Sequence, residues 1–184
     1  MHLERIYLAG YMTSGKSTIG PILANVLGWE FFDLDKEIEK HEGKSVVEIF
    51  EENGEDYFRE IETEKLKELS KKDRSILALG GGTIADPENF HIIRESGLIV
   101  YLKVSPENIY KRLKNKIDRP LFRDLVLSES TEEEFLDKIS SHLNERIKIY
   151  ELADITINTS QSKIGMTVDL LAKEIEKLRN EKKD

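Results

Sequence analysis

One stretch constrains the possible folds of this chain more than any other. Gly10-Tyr11-Met12-Thr13-Ser14-Gly15-Lys16-Ser17 fits the spacing Gly-x-x-x-x-Gly-Lys-Ser/Thr and stands between two different periodicities. Before it, Ile6-Tyr7-Leu8-Ala9 has the length and apolarity of a buried strand. After it, Ile19, Ile22, Leu23, Val26 and Leu27 recur at helical spacing as far as Gly28. Strand, glycine loop and helix in that order would wrap Gly10, Thr13, Ser14, Gly15, Lys16, Ser17 and Thr18 around a nucleotide phosphate chain. Backbone amides turn inward at the glycines, the helix N-terminus adds positive potential, Lys16 reaches the outer phosphates, and the Ser17 hydroxyl is a candidate ligand for Mg²⁺. The bland alternative is a glycine turn before a capped helix, which would have to meet every constrained position and both flanking elements by chance. Pro21 removes an amide donor early in this helix, so a slight kink is expected.

The same alternation runs through the rest of the chain. Strands are expected near Ile6–Ala9, Glu30–Asp33, Ile76–Leu79, Leu98–Lys103 and Ile155–Asn158, separated by longer helical patterns, which implies a parallel sheet with helices on both faces. A length of 184 residues suits a single α/β domain. From Lys36 to Lys72 the sequence is charged and helix-forming, with breaks at Gly43-Lys44-Ser45 and Asn53-Gly54. It reads as an inserted layer of two or three short helices, residues 34–72. Asn115 to Arg123 has charge, one proline and little periodicity, the pattern of a mobile loop. Helices are expected over Glu132–Tyr150 and Ile164–Lys182, the last ending in a frayed charged tail.

Composition limits the function classes. With 39% hydrophobic and 35% charged residues the chain should fold, and a net charge of −8 argues against nucleic acid or a membrane surface as partner. A small anionic substrate would need locally concentrated arginines. Cysteine is absent and the four histidines show no metal-ligand spacing, which removes disulfides and thiolate metal sites. No apolar run approaches the ~18 residues of a membrane span, and the apolar start is too short for a signal peptide. A cytoplasmic protein is expected.

A glycine loop alone does not separate a kinase from a GTPase, a motor or a nucleotide sensor, so a second site must decide. Phe31-Phe32-Asp33-Leu34-Asp35 ends the second strand with carboxylates two residues apart, on one side of an extended chain, at the edge where parallel-sheet ligands sit. One can face Mg²⁺ and the other an acceptor hydroxyl, or both can simply cap the next helix. Arg59 has Glu62 three residues on, a spacing that lets a carboxylate orient a guanidinium for a bidentate anion, although a solvated arginine looks the same. Gly80, Gly81 and Gly82 follow an apolar strand directly. Three glycines there give up chain order for close backbone approach, more than a simple turn needs. Arg112 and Arg119 bracket the suspected loop, and Arg146 lies four residues before Tyr150. Arginines carried by a closing loop can neutralise a transferring phosphoryl group.

Together these residues resemble the bacterial shikimate kinases along nearly the whole chain. The resemblance rests on the glycine loop continuing as Thr18-Ile19-Gly20, on Phe32-Asp33-Leu34-Asp35, on Gly54-Glu55 with Phe58-Arg59 and Glu62, on Gly80-Gly81-Gly82, on Arg119-Pro120-Leu121, and on Arg146 with Tyr150. It implies a P-loop kinase fold like that of the nucleoside monophosphate kinases: a three-layer α/β/α arrangement with a five-stranded parallel sheet, a helical substrate-binding region and a mobile lid at residues 113–124. It implies transfer of the γ-phosphate of ATP to the 3-hydroxyl of shikimate, in the pathway to chorismate and the aromatic amino acids, by a monomer. Asp35 would hold the acceptor hydroxyls and accept the proton. Arg59 and Arg146 would clamp the shikimate carboxylate, with Glu62 orienting them and Gly80, Gly81 and Gly82 offering backbone contacts. Lys16 and Arg119 would stabilise the transferring group, Ser17 and Asp33 would hold Mg²⁺, and Arg112 would pack near the adenine.

Three departures stand out. The loop interior Tyr11-Met12-Thr13-Ser14 is bulkier than the Gly- and Ala-rich interior usual in the family. Asn158 to Lys163 lacks the Arg and Pro that often flank adenine, which leaves nucleotide preference open, and Phe122 replaces a usual Leu. Two other readings compete: a gluconate-kinase-like enzyme of the same fold, which has no reason to combine Asp35, Arg59, the glycine triplet and Arg146, and a non-catalytic nucleotide-binding module.

Overall fold

A computed structural model of the chain describes residues 4–115, 120–128, 130–160 and 163–181. Strands form where the short apolar runs predicted them: β1 (Arg5–Ala9), β2 (Glu30–Asp33), β3 (Ser75–Ala78), β4 (Leu98–Lys103) and β5 (Ile155–Asn158). They make one parallel sheet in the order β2-β3-β1-β4-β5, with Tyr7 of the central strand in register with Leu77 on one side and Ile99 on the other. Parallel strands need crossovers, and the crossovers put helices on both faces.

Side-chain alternation along the strands sorts the core into layers. Ile6, Leu8, Ile76, Val100 and Leu102 point to the face covered by α1 (Lys16–Leu27) and α8 (Ile164–Glu181), where they meet Ile19, Leu23, Val168 and Leu171. Tyr7, Ala9, Leu77, Ile99 and Tyr101 point the other way, onto α2 (Leu34–Glu42), α3 (Val46–Leu69), α4 (Pro87–Ser96) and the end of α7 (Glu132–Tyr150). A third apolar cluster gathers α5 (Pro106–Leu113), α6 (Pro120–Leu127) and α7 around Ile109, Leu113, Phe122, Phe135 and Ile139, with Tyr11 from the loop after β1 inserted among them. This is the expected three-layer α/β/α arrangement. With both faces covered, the C-terminal edge of the sheet is left for the site.

Local chemistry explains the element boundaries. Gly28 ends α1 in the left-handed region (φ 65°), and Asp33 caps α2 by accepting from the Lys36 amide. Ser45 and Glu48 form a capping box at the start of α3, which kinks at Gly54 (φ 84°, ψ 174°), one of the two breaks expected in the charged segment. A second capping box, Thr131 with Glu134, opens α7. Among the described residues, no helix is long and apolar enough to cross a membrane.

Three readings of the sequence need correction or extension. The inward face of α1 is Ile19, Gly20, Leu23 and Ala24; Ile22 and Val26 are 42% and 54% exposed. The reason is Gly20, which lets the helix lie so close to β2 that a Cβ there would be 2.2 Å from the Phe31 ring, and this contact sets the helix rotation. Pro21, on the solvent side, sits within an unbroken helix. The segment Asn115 to Arg123 is not loop throughout, since residues 120–123 are the first turn of α6, where a proline's fixed φ suits a helix start. Residues 116–119, and therefore Arg119, lie outside the described residues. Finally, α4 and α5 went unread, although both carry a legible start signal: Asp86-Pro87 and Ser105-Pro106 each place a capping side chain before a proline at the first helical position.

Candidate active site

The loop between β1 and α1 has the backbone its sequence demands. Gly10 holds φ 146°, and a Cβ there would meet the Leu102 carbonyl at 2.7 Å; Gly15, at φ 106°, is the N-cap of α1. No side chain caps this helix and its first turn holds no acidic residue, so its positive end is presented to a ligand. Lys16 curls back over the loop, its Nζ donating to Gly10 O at 2.6 Å and Tyr11 O at 3.2 Å. Ser17 Oγ donates to Asp33 Oδ2 at 2.7 Å, while Asp33 Oδ1 accepts from the Lys36 amide at 3.4 Å. One oxygen caps α2 and the other pairs with the Ser17 hydroxyl, so the cap leaves Asp33 free to face the phosphate loop as well.

Asp35 follows in the first turn of α2. Burial pushes its carboxyl up to about 6, helped by the charges of Asp33 and Glu62 and opposed by Lys16. The glycine triplet makes this packing possible, because each glycine faces a different polar group. A Cβ on Gly80 would stand 2.9 Å from Asp35 Oδ1 and 3.1 Å from Glu62 Oε1. On Gly81 it would stand 3.3 Å from Arg146 Nη1, and on Gly82 it would stand 3.1 Å from Arg59 Nη2. The triplet also makes a turn, Gly80 O accepting from the Thr83 amide at 3.3 Å, but none of the three holds a positive φ, so close approach accounts for the succession of glycines.

Behind the triplet, Glu62 is fully buried and satisfied on both oxygens: Thr83 Oγ1 donates to Oε1 at 2.6 Å and Arg59 Nη1 to Oε2 at 2.8 Å. Glu55 accepts from Arg59 Nη2 at 3.1 Å. A buried carboxylate with a hydroxyl and a guanidinium as partners holds that guanidinium in one orientation. From α7, Arg146 Nη1 and Tyr150 Oη both donate to Gly81 O, at 3.0 and 3.1 Å. Two arginines far apart in sequence therefore converge on neighbouring glycines. Arg112 of α5 donates to Thr13 O at 2.6 Å and to Thr159 O at 3.1 Å, on the side of the loop toward β5.

A cleft of about 600 Å³ joins these groups. Thr13 to Thr18, Asp33, Asp35, Gly81 and Arg112 line it, and Thr159, Ile164 and Thr167 continue it toward α8. Arg59, Gly80, Gly82 and Arg146 adjoin it through Gly81 and its neighbours. Every candidate residue within the described part of the chain belongs to this one region. Thr83 and Thr159 were not singled out from the sequence, because a lone threonine in a loop carries no spacing signal.

For a metal, the pairing of the Ser17 hydroxyl with the Asp33 carboxylate offers hard oxygen donors at the mouth of the phosphate loop. That set suits Mg²⁺, which keeps several waters and takes other ligands from substrate phosphates.

Comparison with known proteins agrees with this geometry. The shikimate kinase family profile matches residues 12–177. A shikimate kinase of Chlorobium limicola is 45% identical over 174 residues, covering 95% of this chain and 87% of that protein. Among solved structures, shikimate kinase from Bacteroides thetaiotaomicron superposes with a TM-score of 0.83 at 32% identity, covering 94% of this chain and 98% of that one. The Acinetobacter baumannii shikimate kinase, solved in complex with shikimate, gives 0.80 at 36% identity, with 98% and 94% covered. A gluconokinase from Sinorhizobium meliloti, at 15% identity and a TM-score of 0.60, shares the fold alone. With a family match over nearly all of its length and a glycine triplet that gathers Asp35, Arg59 and Arg146 beside the phosphate loop, the chain belongs to the shikimate kinase family.

Proposed function

We propose that the chain phosphorylates shikimate, transferring the γ-phosphoryl group of ATP to the 3-hydroxyl to give shikimate 3-phosphate and ADP. One observation carries the reading: an acceptor carboxylate and two arginines meet around Gly80 to Gly82 at the end of the cleft that the phosphate loop opens. Those groups fit a polyol that also carries a carboxylate. Gluconate shares that description in part, but the likeness to a gluconokinase extends to the fold alone. The joint presence of Lys16, Ser17, Asp33 and Asp35 in one cleft speaks against a non-catalytic nucleotide binder.

In this reading the ATP phosphates lie along the loop amides and Lys16, with Ser17 and Asp33 holding Mg²⁺, whose charge offsets that of the phosphates. Arg59, oriented by Glu62, and Arg146 bind the shikimate carboxylate. Asp35 accepts the proton of the attacking hydroxyl. Catalysis is then largely positioning and electrostatic stabilisation of an in-line transfer. Arg119 is proposed from the pattern Arg119-Pro120-Leu121 alone to neutralise charge on the transferring group. In this reading the enzyme acts as a monomer, and the absence of cysteine suits the reducing cytoplasm.

The test is the mass of the product formed from Mg-ATP with shikimate, gluconate or nucleoside monophosphates, with Lys16→Met as control. Shikimate should gain one phosphoryl group and the others should not. Arg59→Ala should raise the shikimate KM by about thirtyfold or more, the scale of unpairing a desolvated charge, with the ATP KM nearly unchanged. A shikimate KM within about twofold of the parent would remove the carboxylate clamp.

A further inference from the structure

Thr13 is the most strained residue of the phosphate loop. It is β-branched yet holds φ at 60°, in the left-handed region where a Cβ crowds the backbone, and its Oγ1 is buried without a hydrogen-bond partner. The bulky loop interior noted in the sequence thus has a definite location for its conformational penalty. Something outside the loop must oppose it.

Two side chains do. Arg112 donates from Nη1 to Thr13 O at 2.6 Å and from Nη2 to Thr159 O at 3.1 Å. Thr159, buried just after β5, donates from Oγ1 to Ser14 O at 3.0 Å, with a longer contact of 3.4 Å to Lys103 O on the neighbouring strand. Consecutive loop carbonyls are therefore drawn outward onto a scaffold anchored in β4, β5 and α5. A peptide unit is planar, with its N–H opposite its C=O, so the direction of each carbonyl fixes the following amide. With Thr13 O held outward, the Ser14 amide closes the turn onto Tyr11 O at 3.1 Å. With Ser14 O held by Thr159, the Gly15 amide is turned away from Thr159, toward the cleft that Gly15 lines.

We propose that Arg112 and Thr159 are positioning residues that hold the phosphate loop in its anion-binding conformation against the strain at Thr13. They thereby set affinity for the polyphosphate itself and not only for the base. The inference rests on the reading of this cleft as a nucleotide-phosphate site. It assigns Thr159 a role and gives Arg112 one distinct from packing near adenine.

The experiment compares Mg-ADP with Mg-tripolyphosphate, which has no base, by titration calorimetry on the parent, Arg112→Ala, Thr159→Val, Thr13→Gly and the double variant Arg112→Ala with Thr13→Gly. Arg112→Ala should weaken both ligands by similar factors of about tenfold or more, the scale of lost charge-assisted hydrogen bonds. Thr159→Val should weaken both in the same proportion. Thr13→Gly should restore most of the tripolyphosphate affinity lost in Arg112→Ala, because glycine adopts φ 60° without strain. A purely structural defect at Arg112 would not be repaired by a glycine in the loop. Should Arg112→Ala fail to fold by thermal melting, Thr159→Val, which keeps side-chain volume, asks the same question with and without Thr13→Gly. Weaker ADP binding with tripolyphosphate within about twofold of the parent would overturn the brace in favour of a base contact, and additive effects in the double variant would overturn it as well. A parent that binds ADP and tripolyphosphate while every variant matches it would overturn the brace alone. A parent that binds neither would overturn the phosphate-site reading together with it.

Discussion

Asp35 shows how far one side chain depends on its surroundings. Burial first, and then the charges of Asp33 and Glu62, hold its carboxyl at about 6 instead of the usual 3.8, although Lys16 pulls the other way. A general base must be ionised, so kcat/KM for shikimate should fall as the pH drops through about 6. Asp35→Asn should lose a factor of roughly 10² to 10⁴ in kcat and lose this limb of the profile. Stability runs in the opposite direction. Because the folded pKa lies above the unfolded one, the folded state binds the proton more tightly, and stability present below 3.8 is lost as the pH rises through about 6. Asp35→Asn should therefore melt higher than the parent at neutral pH, with the advantage vanishing toward pH 4. Rate profiles and melting curves across this range check both halves; a parent profile flat through pH 6 would remove Asp35 as the base.

At the scale of elements, the contact between α1 and β2 carries the phosphate loop. Gly20 allows it, since the place of a missing Cβ is filled by the Phe31 ring. Gly20→Ala forces ring or helix to move, and overpacking of this kind costs about 1–3 kcal/mol. In a chain of this size that corresponds to a fall in Tm of roughly 2–4 °C for each kcal/mol. The same shift should weaken ADP binding, because α1 begins at Lys16 and Ser17, and Ser17 is held to Asp33 at the end of β2. Gly165→Ala is the control: nothing lies within 4 Å of a Cβ there, and alanine favours a helix. A Gly20→Ala variant with unchanged Tm would show that the interface has room the geometry denies. Element boundaries were largely legible for a related reason. Capping residues, glycines at positive φ and prolines at helix starts act on their own few residues, so Gly28, Gly54, Ser45 and Thr131 mark breaks that can be read locally.

On the scale of the whole molecule, Lys16 comes from α1, Asp35 from α2, Arg59 from α3 and Arg146 from α7, and the groups meet only where those elements converge on the sheet edge. Completing such a site should require the acceptor. ATP hydrolysis without shikimate is expected to be slower than transfer to shikimate by on the order of a hundredfold or more, as read from ADP release with and without acceptor. Comparable rates would argue against a transferase. The same dependence on convergence separates what could be read in advance from what could not. Strand positions, the phosphate loop and the break in the charged segment were determined by the sequence alone, because hydrophobic period and turn chemistry are properties of a few adjacent residues. The arginines were different. A guanidinium in a charged helix has the same local signature whether it is solvated or built into a site, so Arg59 with its Glu62 spacing and Arg146 stood only as candidates, and resemblance to a family gave them their role as a clamp before the fold was known. Tertiary structure decided that both lie against the glycine triplet, that Gly20 and not Ile22 faces inward, and that Arg112 and Thr159 grip the loop at Thr13 and Ser14. Each of these depends on which distant element a side chain meets, and nothing within a few residues of it encodes that.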